Sequence, residues 1–138
     1  MSKITLTHKD LSKLINEIIK YQLECPSYIF RMAKSEPWRL IQIYNGGGAD
    51  STPSWLRWII TGLLWILKPS ILIHDIDFTF MVESFEAVNE RFRRNNEKLI
   101  NAKVNWFLRV FYFRQANKLA DYLIKTLGQK WESKRWKI

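Results

Sequence analysis

From Trp55 to Ile73 the chain is apolar enough to require either a bilayer or a protein interior, and the choice governs what can be built around it. Arg57, Lys68 and Pro69 interrupt the run and leave only residues 58–67 uncharged. About ten helical residues rise about 15 Å, half of a hydrocarbon core, so no transmembrane segment is expected. The alternative is burial as two successive helices, one from Pro53 to about Leu67 and one from Pro69 to about Val82, each opened by its proline. A chain of 138 residues can bury such a pair in one core, so a single domain over 1–138 is expected, with a basic tail at 128–138.

The remaining elements follow from periodicity. Thr7 and Asp10 read as a capping box, and Leu11, Leu14, Ile15, Ile18 and Ile19 recur at helical spacing to about Gln22. Pro26 stops that helix. Two short runs, SYIFRMA (27–33) and WRLIQIY (38–44), flank SEP, and the second alternates, which predicts a small antiparallel hairpin. NGGGADSTP (45–53) is the clearest break. Ser84 then caps a helix striped by Phe85, Val88, Phe92 and Leu99, with Asn89, Asn95 and Asn96 beside the stripe. A last helix runs from about Lys103 to Leu127, turning Leu108, Phe111, Ala116, Leu119 and Leu123 inward, and Gly128 ends it. The expected class is α+β, mostly helical: about five helices around a buried His-Asp helix, with the hairpin near the N-terminus.

The segment ILIHDIDF (71–78) places three ionisable groups in apolar surroundings, which is costly unless each has a partner. On a helix His74 and Asp77 share a face, while Asp75 turns about 100° away. A carboxylate that orients an imidazole raises its basicity, so His74, Asp75 and Asp77 are candidate catalytic groups. The other reading is a buried histidine with both aspartates tied to helix ends or arginines. The preceding loop GGGADS (46–51) offers carbonyls, Asp50 and a hydroxyl. Asp50, Ser51 and Asn89 are therefore candidate substrate contacts, and Asp75 with Asp50 a candidate site for a divalent cation such as calcium. The loop lacks a GK[ST] ending, which excludes a nucleotide phosphate loop.

The order Gly48-Ala49-(Asp50)-Ser51-Thr52-Pro53, then His74, Asp75 and Phe78, then Asn89 and Phe92 resembles a family of small phage-encoded proteins of unknown function. Its pattern is G-A-S-x-P, H-D-x-x-Y and A-D-x-x-F. Here Asp50 is inserted, Phe78 lacks the tyrosine hydroxyl, and Asn89 replaces an aspartate. The likeness implies a phage origin, a shared His-Asp site, and residence in the bacterial host cytoplasm or the virion. A looser likeness is to calcium-dependent phospholipases, in which a glycine-rich calcium loop precedes H-D-x-C-Y. It implies a water-activating role for His74, calcium on Asp75, and carbonyl ligands from Gly46, Gly47 and Gly48.

Charge is divided unevenly. The net charge is +9, yet residues 91–138 carry 13 Lys and Arg against 3 Asp and Glu, so the first 90 residues are almost neutral. Arg91, Arg94, Lys98, Arg114, Lys118, Lys125, Lys134 and Arg135 form a candidate basic face, joined by Trp131 and Trp136. Such a face suits an acidic partner: nucleic acid, an anionic membrane surface, or a phage or host protein. The single cysteine, Cys25, excludes an internal disulfide, and no secretory signal is read at the N-terminus. Two functions are therefore expected of this sequence: a hydrolase-like or metal-binding His-Asp site, or a non-enzymatic binding protein.

Overall fold

The computed structural model describes residues 6–44 and 54–136. These form six helices: α1 (His8–Lys20), α2 (Ser27–Ser35), α3 (Pro37–Ile43), α4 (Ser54–Phe80), α5 (Phe85–Lys103) and α6 (Arg109–Trp136). No strand occurs among the described residues, so the architecture is an all-helical bundle, not α+β. The expected hairpin is a pair of short helices. In SYIFRMAKS, Ile29 is fully buried while Phe30, Met32 and Ala33 pack against the core at helical spacing. In WRLIQIY the buried residues are Leu40 and Tyr44, four apart, a spacing that alternation and a helical turn share. Glu36 precedes a proline and is driven out of helical geometry, to φ −140° and ψ 57°, so α2 ends there and Pro37 opens α3.

α4 is one helix of 27 residues, not two, because Pro69 lies inside it. A proline there removes one hydrogen bond and costs about 3 kcal/mol. What offsets it is burial on almost every side. Leu63, Leu67, Ile71, Leu72, Ile73 and Ile76 are all sealed in the core, each contributing about 1.5–3 kcal/mol, and α4 packs against α1, α3, α5 and α6. No helix among the described residues is long and apolar enough to cross a membrane.

α5 begins at the expected serine, whose hydroxyl accepts the Ala87 N–H at 3.1 Å. It runs on to Lys103, so α6 starts later than the periodicity suggests. α6 also ends later. It passes through Gly128 because Trp131, only 5% exposed, has a site to fill: its ring lies 5.6 Å from Phe78 and 5.1 Å from Phe85. Gly128 packs beside the Phe85 ring, where a Cβ would stand 3.4 Å away, at ordinary contact distance. Trp131 of the basic tail is thus part of the core.

The capping box holds α1: Thr7 Oγ1 accepts the Asp10 N–H at 3.1 Å and Asp10 Oδ2 accepts the Thr7 N–H at 3.2 Å. At its other end Gln22 adopts φ 53°, in the left-handed region, while the Leu23 N–H reaches back to the Ile18 carbonyl at 3.0 Å. A side chain in that conformation costs about 1–2 kcal/mol. The strain is held by α5, where Lys98 Nζ donates to the Gln22 carbonyl at 2.8 Å. Gln22→Gly is expected to stabilise the protein by about 0.5–1 kcal/mol, after the added freedom of the unfolded chain, read as a higher urea midpoint at unchanged slope.

Candidate functional site

The His-Asp segment is presented by the C-terminal half of α4 to α5, and three polar contacts join the two helices. Ser70 Oγ donates to the Phe92 carbonyl at 3.4 Å, His74 Nε2 lies 3.1 Å from Asn89 Oδ1, and Arg91 donates to Asp77 at 2.8 Å. His74 is 3% exposed, with its ring 4.6 Å from that of Phe92. Since Asn89 Oδ1 accepts, the neutral ring carries its proton on Nε2. Burial holds the imidazole pKa below its ordinary 6.5, and the Asn89 contact opposes this only in part.

Asp77 does not pair with His74. It is 2% exposed and accepts two hydrogen bonds, from the Tyr28 hydroxyl at 3.0 Å and from Arg91 Nη1. Arg91 also pairs with Glu83. Burial pushes the Asp77 carboxyl upward against the pull of Arg91, and it pushes the Tyr28 phenol upward as well. The Cys25 thiol is raised to about 12, first by burial and then by the charge of Asp77, which leaves it an inert packing group.

Asp75 points elsewhere. Its charge helps burial raise the Tyr44 hydroxyl to about 12. It also lines, with His74, Phe78, Phe92, Leu127 and Lys130, a cavity of about 130 Å³. His74 and Asp75 therefore share this space while Asp77 lies outside it. Asp50, Ser51 and the glycines at 46–48 lie outside the described residues, and with them the cation loop. Among the described residues no group of three or more histidine, cysteine or acidic side chains is placed to hold a metal ion around Asp75. Asn89 faces the imidazole, a use that its place beside the apolar stripe allowed.

The residues of the candidate basic face divide into two sets. Arg91 belongs to the Asp77 cluster. Arg94 pairs with Glu24 and Glu90, and Lys98 caps the Gln22 carbonyl. Between them Asn95, fully buried, accepts the Glu24 N–H at 2.8 Å and donates to the Glu24 carbonyl at 2.9 Å, so α5 clamps the α1–α2 turn through Arg94, Asn95 and Lys98. No local pattern announces this clamp, because its partners are some seventy positions apart. Asn96 is also buried, and neither of its amide atoms has a hydrogen-bond partner among the described residues.

Arg114, Lys118 and Lys125 are exposed on one face of α6, at helical spacing. Asp121 lies on the same face, and Arg93 pairs with it at 2.6 Å. Lys134 and Arg135 lie in the last turn of α6, with side chains outside the described part.

No protein-family model, no curated protein and no solved structure matches this chain.

Two outcomes follow from that geometry. Arg91→Met leaves Asp77 charged and unpaired in the core, so it is expected to cost about 3–5 kcal/mol in urea unfolding, while Arg91→Met with Asp77→Leu recovers most of that loss. The imidazole sets a pH dependence. Its folded pKa lies below 6.5, so its neutral form is fully accommodated above that value, and stability falls as pH drops below it because the unfolded chain takes up the proton more readily. Melting temperatures between about pH 7.5 and about pH 5.5 should fall in the native protein and fall less in His74→Phe. Asp77, shifted in the opposite sense, is common to both and cancels in the comparison.

Proposed function

We propose that this chain is a non-enzymatic binding protein whose α6 face docks on an acidic partner, while the His-Asp segment locks α4 against α5. One contrast carries the reading. The ionisable groups buried on α4 each have a partner within the core, whereas Arg114, Lys118 and Lys125 face solvent with no ion pair among the described residues. A protein proton acceptor is tuned by a carboxylate and open to its substrate. His74 instead faces an amide and stacks on Phe92. Hydrolysis at the small cavity beside His74 and Asp75 has the weaker support.

The partner's negative charge is supplied by phosphates or sulfates on a polymer, or by a negatively charged surface. Field from three uncompensated cations along about 16 Å of helix favours such a partner, and the almost neutral first 90 residues leave the field one-sided. The phage-like motif order is compatible with a protein that engages a host or viral polyanion.

Binding to immobilised heparin and to duplex DNA tests this reading. The native chain is expected to bind with a strong salt dependence, and Arg114→Glu with Lys118→Glu and Lys125→Glu to weaken binding at least tenfold and flatten the dependence on log salt by about 3. Retention that ignores salt, or a triple variant that binds as well as the native chain, overturns it.

A further inference from the structure

The turn between α5 and α6 presents five large apolar side chains to solvent within six positions. Trp106 is 77% exposed, Phe107 62%, Leu108 41%, Val110 62% and Phe111 57%. Sequence periodicity turned Leu108 and Phe111 toward the core, and the structure turns them out. The turn is well fastened at its base. Val104 is buried, and the Arg109 guanidinium closes the end of α5 by donating to the Val104 and Asn101 carbonyls, each at 3.0 Å. The Leu108 N–H donates to the Asn105 carbonyl at 2.9 Å, and the Trp106 and Phe107 rings meet edge to face at 6.0 Å. A turn so held, with aromatic rings pointing away from the bundle, is an apolar patch that water alone does not explain.

Charge decides what covers it. Residues 104–120 contain three basic side chains, Arg109, Arg114 and Lys118, and no acidic one. A second copy of the chain would bring like charges together around the apolar contact, against a net charge of +9 on each molecule. An anionic bilayer meets both properties at once. Tryptophan and phenylalanine settle at the boundary between headgroups and acyl chains, and nearby cations meet the lipid phosphates. Arg114 and Lys118 follow Phe111 by three and seven positions, about 4.5 and 10.5 Å along α6, which suits headgroups when the turn enters the outer 5–10 Å of the acyl boundary.

We propose that the 105–111 turn inserts into the surface of an anionic lipid bilayer, with Arg114 and Lys118 meeting the lipid phosphates. This rests on the reading of α6 as a cationic docking face and names the chemistry of its partner. The chain attaches from one side, in keeping with the absence, among the described residues, of a helix long and apolar enough to cross.

Sedimentation of the full chain with vesicles tests it, using phosphatidylglycerol mixed with phosphatidylcholine against phosphatidylcholine alone. The native chain is expected to pellet with the anionic vesicles, and Trp106→Ser with Phe107→Ser to reduce its partitioning at least tenfold, with an unchanged melting curve and unchanged retention on heparin. A double variant that partitions as the native chain does overturns the insertion. Heparin binding without vesicle binding by the native chain also overturns it and leaves the α6 reading standing, whereas loss of both overturns the two together. A native dimer that the double variant abolishes assigns the turn to a second copy instead.

Discussion

The seam between α4 and α5 sets the arrangement of everything else. An apolar seam alone would tolerate several registers, since one aliphatic side chain resembles the next. Polar contacts do not tolerate this: sliding α5 by one turn would separate Ser70 from the Phe92 carbonyl, His74 from Asn89, and Asp77 from Arg91. Each separation would leave a desolvated polar or charged group without a partner, at about 1–3 kcal/mol for the neutral groups and more for the ions. The buried charges therefore add less to stability than to the choice of one alignment among many. Once that alignment is fixed, α5 can hold the α1–α2 turn through Arg94, Asn95 and Lys98, and Tyr28 of α2 reaches Asp77 from the other side.

How much of this was legible depends on the range of the interaction. Local signals were read correctly: the capping box at Thr7, the serine that opens α5, and the stripe of Val88, Phe92 and Leu99 all rest on neighbours within a few positions. The helices on either side of Glu36 read as strands from sequence because seven apolar-rich residues satisfy both periods, and only the tertiary contacts of Leu40 and Tyr44 separate them. The break expected at Pro69 failed for a similar reason, as burial around α4 outweighs one lost backbone hydrogen bond. At the site, the sequence identified the costly residues and not their partners. His74 and Asp77 share a helix face, which suggests a pair, yet each has its partner on α5, at Asn89 and Arg91.

The basic third of the sequence shows the same limit. Counting lysine and arginine locates an excess without saying which charges are spent internally. Five of the cations between residues 91 and 103 are engaged with carboxylates or a backbone carbonyl, so the uncompensated part lies farther along, on α6. Exposure of Leu108 and Phe111 is likewise hidden, since a helix starting at Lys103 turns them inward, and the actual start at Arg109 leaves them out.

The docking of Trp131 between Phe78 and Phe85 bears on how the chain reaches its folded form. That flank of α4 stays uncovered during synthesis until residue 131 has left the ribosome, although α4 and α5 can already associate. A growing chain therefore shows aromatic surface for most of its emergence, and any stall or premature stop before that tryptophan releases a product prone to aggregate or to engage chaperones.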